Sequence, residues 1–170
     1  MHSKIFQISK GEVKDFITED RYIDGFVGQI ADYVQEMDKE VWKETWNWLS
    51  DFCKGAIEIN ENKLTVIDKE KYFANRYTDF QLLIKKAADI SLEQFMSNDY
   101  TIDITDQYGN TFKRNAPSLM CDIGLVFDDK LGFYVDDNDG YAGLETFDSF
   151  MRRVHNGDVY YLGSVIDYHF

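Results

Sequence analysis

The stretch 158–170, DVYYLGSVIDYHF, is apolar on both of its alternating faces: Tyr160, Leu162, Ile166, Tyr168 and Phe170 oppose Val159, Tyr161 and Val165. A strand of this kind must be covered on both sides, so it predicts the centre of a sheet with other structure packed on each face. The rest of the chain has to supply its neighbours. KIFQI at residues 4–8 predicts a first strand, and AIEINENKLTVID a hairpin turning at Asn60-Glu61-Asn62. YTIDIT and TFKRN predict a second hairpin around Asp106-Gln107-Tyr108-Gly109-Asn110. Residues 119–127 alternate, with Cys121, Ile123, Leu125 and Phe127 on one face, and predict a further strand. The chain then turns at Asp128-Asp129-Lys130 into LGFYV, and Asp136-Asp137-Asn138-Asp139-Gly140 reads as another turn.

Helical spacing takes up most of what remains. Residues 10–20 carry Val13, Phe16 and Ile17 at the spacing of a short helix. Ile23, Phe26, Val27, Ile30, Val34 and Met37 predict a helix over 22–37, with Gly25 and Gly28 read as close-packing positions. A helix over 39–53, capped by Asp38, carries Val41, Trp42, Trp46, Trp48, Leu49, Phe52 and Cys53 and stops at Gly55. These two pair as an antiparallel helical hairpin. A long helix over 69–88 shows the stripe Phe73, Tyr77, Phe80, Ile84 and Ala88. Ser91 and Gln94 form a capping-box pattern before a short helix through Met96. A helix over 145–154 has an acid at its start and Arg152 and Arg153 at its end, matching the helix dipole, and Asn156-Gly157 stops it.

Together these readings give one α+β domain over residues 1–170. Its sheet is mainly antiparallel, built from hairpins, and packed against the N-terminal helical hairpin and the long middle helix. A chain of 170 residues can bury enough surface to hold together without disulfides or metal. Cys53 and Cys121 lie far apart in apolar surroundings and read as two reduced, buried thiols. The N-terminus has no apolar leader and no stretch has the length of a membrane span, so a cytoplasmic location is expected.

The charge is the most informative functional signal. Thirty-one acids against 18 bases give a net −13, which repels nucleic-acid backbone and anionic lipid and permits a partner with a basic surface. Residues 101–150 alone hold ten acids and three bases. Asp103, Asp106, Asp128, Asp129, Asp136, Asp137 and Asp139 fall at expected hairpin tips, where together they would form a negative interaction patch. The plainer account is that turns favour Asp for local hydrogen bonding. Trp48 falls off the line of Trp42 and Trp46, and reads as an exposed interface anchor.

Catalytic and metal motifs are weak by comparison. VDDNDGYAGLE resembles an EF-hand loop only superficially. With Gly140 as its sixth residue, Val135 and Thr146 stand where the first acid and the final Glu belong. Asp136, Asn138 and Glu145 offer an irregular calcium set against the simpler reading of a solvated acidic turn. Cys121 and His155 are a formal thiol–imidazole pair without an activating context. His2 and His169 lie at the chain ends, and the adjacent carboxylate pairs do not face one cleft. No catalytic residue, cofactor or metal follows.

The expectation is therefore a non-enzymatic acidic binding protein, monomeric or homodimeric, that inhibits a basic nucleic-acid-binding enzyme such as a nuclease. The kind is that of DNA mimics among anti-CRISPR and antirestriction proteins of bacteria or phage, or of nuclease immunity proteins. The alternatives are a metal-assisted or small-molecule enzyme built on scattered carboxylates, and a structural or assembly subunit dimerising through an aromatic helix face.

Overall fold

The computed structural model of the protein describes all residues except 106–108, 128 and 138–142, and the side chains of 75 and 127. Asp106, Asp128, Asn138 and Asp139 thus lie outside the described residues. The described chain is α+β and divides into two compact units. One holds residues 1–72 and 129–170, the other residues 73–128. No described helix is long and apolar enough to cross a membrane.

The first unit is a seven-stranded sheet: β1 (His2–Ser9), β2 (Tyr33–Glu36), β3 (Ile57–Asn60), β4 (Lys63–Val66), β7 (Tyr134–Asp137), β8 (Gly143–Thr146) and β9 (Val159–His169). Its order is β3-β4-β9-β1-β7-β8. β9 is central, as its two apolar faces require. One edge pairs with β1, while the other is shared by β4 at Val159–Tyr161 and β2 at Ile166–His169. All pairings are antiparallel except β1 with β7. The β3–β4 hairpin closes at Glu61-Asn62, where Glu61 takes the left-handed conformation that such a tight turn requires.

The helices of this unit are α1 (Asp20–Ile23), α2 (Lys39–Phe52), the start of α3 (Lys69–Ala88), and α6 (Phe147–Arg153). Trp42, Trp46, Leu49 and Cys53 form the buried stripe of α2. The Trp42 indole donates to the Met37 carbonyl at 2.7 Å, whereas the buried Trp46 indole N–H has no partner among the described residues. Trp42→Phe should therefore lower stability by about 1–2 kcal/mol, because it orphans that carbonyl. Trp46→Phe removes a donor that is already orphaned and should lower stability by less than half as much. Parallel urea melts check the ranking.

Several expectations are corrected. Residues 22–37 are not a helix: Gly25 and Gly28 adopt φ of +105° and +85°, which ends α1 after one turn and sends the chain into β2. The helical hairpin accordingly does not form, and residues 10–19 are not helical either. Glu145 belongs to β8, and α6 starts two residues later, with the Thr146 hydroxyl accepting from Ser149 N–H at 3.2 Å.

The second unit contains the body of α3, α4 (Leu92–Met96), the hairpin of β5 (Ile102–Thr105) and β6 (Thr111–Arg114), and α5 (Ala116–Phe127). Ser91 and Gln94 make the expected capping box. Residues 119–127, expected as a strand, are the body of α5. Asn115 accepts from Ser118 N–H at 2.9 Å and Pro117 sits in the first turn, both helix-start signals. Leu119, Ile123 and Val126 then share one face, in a small core with Leu83 and Ile104. The helix leaves Cys121 exposed, so only Cys53 is a buried thiol. The stripe expected on α3 is also displaced. Tyr77 and Ile84 are exposed, while Tyr72 and Leu83 are buried.

Candidate functional site

Of the described acids expected at solvated hairpin tips, two have different surroundings. Asp136 and Asp137 are buried residues of β7, not a turn. Asp136 is 1% exposed. Arg21 grips it with both ends of its guanidinium fork, Nε to Oδ2 at 2.8 Å and Nη2 to Oδ1 at 3.0 Å, and the Tyr22 hydroxyl donates at 2.9 Å. Burial pushes the Tyr22 hydroxyl well above its ordinary pKa. The Asp136 carboxylate adds to that rise and Arg21 opposes it. Arg153 lies between Glu145, at 2.6 Å from its Nε, and Asp137, at 3.4 Å from its Nη2. In β5, Asp103 is exposed opposite Lys113. Asp129 is half-buried and accepts from Leu131 N–H at 3.2 Å. Asp122 pairs with Arg114.

A shallow cavity of about 250 Å³ adjoins Arg21, Tyr22, Phe26, Asp136 and Leu144. Its buried carboxylate is already engaged by three donors. The irregular calcium set loses two of its members to arginines in the same way. Among the described residues no group of three or more His, Cys, Asp or Glu side chains is placed to hold a metal. Cys121 belongs to the second unit and His155 to the first, where the imidazole Nδ1 faces Asp158 at 3.9 Å.

The structure moves the unneutralised acidity elsewhere. Between residues 12 and 51 stand eleven acids and four bases, and every one of those acids except Glu19 is exposed. Glu19 and Glu36 are fixed side by side by reciprocal contacts, in which Glu36 N–H donates to Glu19 at 2.9 Å and Glu19 N–H to Glu36 at 3.4 Å. The two carboxylates are held by backbone donors rather than by bases. This part of the surface was hidden in the sequence, because counting charge along the chain does not show which acids are matched across it.

An aromatic feature adjoins it. Trp48 is 50% exposed and Phe52 46%. Both rings meet the Phe133 ring edge-on at 5.0 Å, so neither is a loose side chain. No protein-family model, curated protein or solved structure matches the chain. Phe52 and Phe133 escaped the sequence reading. The signal is the second spacing on α2, Val41, Trp48 and Phe52, of which the sequence reading sets only Trp48 apart from the buried stripe.

Proposed function

We propose that this protein is a non-enzymatic acidic binding protein whose partner is a basic protein surface. In concrete form it is an inhibitor of a basic nucleic-acid-binding enzyme, of the DNA-mimic, anti-CRISPR or antirestriction type, or an immunity protein against a basic nuclease. The observation that carries the reading is the exposed acid surface over residues 12–51, with Glu19 and Glu36 held together by backbone N–H groups. Neither carboxylate is paired with a base among the described residues, so a basic partner can supply the missing charge on binding. Inhibition of a nucleic-acid enzyme follows from the chemistry of such a partner, whose basic groove must accept phosphate charge.

The test is capture of partners from a host lysate by wild-type protein and by Glu19→Lys/Asp20→Lys/Glu36→Lys, washed at about 50 mM and about 300 mM salt. A basic partner should be retained at low salt, released at high salt and lost in the variant. Nucleic acid should compete for it. Retention that ignores both salt and charge reversal would sink the reading.

A further inference from the structure

We infer that a second face of α2 is a ledge for a basic amphipathic helix of the partner. The inference rests on the acidic-binder reading and assigns its contact surface.

Val41, Thr45, Trp48 and Phe52 follow one another at steps of four, three and four, a single line along the helix beside the buried stripe of Trp42, Trp46, Leu49 and Cys53. The Thr45 hydroxyl donates to the Val41 carbonyl at 2.9 Å, so the line presents no unsatisfied polar group there. Trp48 and Phe52 stand against Phe133. The aromatic anchors are held in place before any partner arrives, which reduces the ordering needed on binding.

Charge selects the occupant. Glu44 and Asp51 stand four residues before and three after Trp48, and Glu40 four before Glu44, so the three acids edge the line on the side away from the buried stripe. All three are exposed, and none of their carboxylates has an ion-pair partner among the described residues. The bases of the helix, Lys39 and Lys43, lie on the side turned away from the line. A straight apolar row edged by acid fits a helix with apolar anchors at i, i+3 or i+4, and i+7 and Lys or Arg alongside them. A second copy would bring the same acids against a chain of net −13, and an anionic lipid surface is repelled for the same reason.

The probe is a fluorescein-labelled synthetic helix of about two heptads, Leu at the a and d positions and Lys elsewhere, beside a scrambled peptide of identical composition. Anisotropy titrations should show the patterned peptide binding more tightly than the scrambled one. Trp48→Ala should weaken the patterned peptide by about tenfold or more, and Glu44→Lys/Asp51→Lys by a comparable factor that shrinks with added salt. All these positions are exposed, and thermal melts confirm that each variant is folded. Equal affinity for both peptides, or no loss in the variants, overturns the ledge. A dimer in sedimentation that Trp48→Ala dissociates also overturns it, by giving the face to a second copy. The two readings fail separately. Salt-sensitive capture of a basic lysate partner that survives Trp48→Ala upholds the acidic binder and removes the ledge as its contact.

Discussion

Arg21→Met should lower the free energy of unfolding by about 3 kcal/mol, and Asp136→Leu by clearly less. The asymmetry follows from burial. Asp136 is 1% exposed, and without Arg21 its carboxylate keeps only the Tyr22 hydroxyl in a buried site. The Arg21 side chain is 44% exposed, and without Asp136 it can turn its guanidinium to water. The remaining loss in Asp136→Leu is the Tyr22 hydroxyl, which gives up its acceptor. The double variant Arg21→Met/Asp136→Leu should recover most of the loss seen in Arg21→Met alone, because no charge is left buried. Urea unfolding at constant m-value reads all three. A neutral Arg21→Met would show that water reaches the carboxylate. Arg21 also joins α1 to β7, two elements far apart in sequence, so this pair helps hold the acidic N-terminal segment on the sheet.

That pairing shows what the sequence concealed. Asp136 and Asp137 read as turn residues because Asp-Asp-Asn-Asp-Gly is turn chemistry, and nothing local reports a guanidinium arriving from residue 21 or 153. Local signals were legible where they decide local structure. The doubly apolar 158–170 stretch became the central strand, Ser91-Gln94 became a capping box, and the 39–53 stripe became α2. Misreadings arose where two periods compete. The apolar spacing over 22–37 suits a helix, but two glycines at positive φ override it. Residues 119–127 alternate like a strand while also matching a helix through Leu119, Ile123 and Val126, and the Asn115-Pro117 start decides between them. On α2 the opposite error occurred, since two adjacent stripes were read as one. Separating them takes Phe52 out of the core and sets it in the candidate interface beside Trp48, which the sequence already reads as exposed. The electrostatic part of the site was the least legible, because it depends on which acids find bases across the fold.

Gly163→Ala should destabilise the protein by about 2–4 kcal/mol although it adds a single methyl group. β9 bulges here: Phe6 pairs with Val165 and Ile8 with Leu162, so Gly163 and Ser164 together face Gln7. The fully buried Gln7 side chain fills the space. Its amide N–H donates to the Asp15 carbonyl at 2.8 Å, and its oxygen accepts from Ser164 N–H at 3.0 Å, the Ser164 hydroxyl at 3.1 Å and Ile17 N–H at 3.3 Å. A Cβ at position 163 would lie 2.6 Å from the Gln7 Cδ and 2.9 Å from its Cγ, and a buried, fully engaged amide cannot step aside. Gln7→Ala opens that space but orphans the Ile17 and Ser164 donors, and should lower stability by about 3 kcal/mol. The two effects overlap, so Gln7→Ala/Gly163→Ala should be no worse than Gln7→Ala alone. Additive losses would show that the methyl clashes with something other than Gln7. The consequence reaches the proposed interface. Gln7 fixes residues 15–17, Phe16 packs on Trp42 at 5.1 Å, and Trp42 belongs to the buried side of α2. Gly163→Ala should therefore weaken binding of the patterned peptide to α2 as well as stability, whereas Arg21→Met, which acts at α1 and β7, should leave that binding unchanged while the protein is folded.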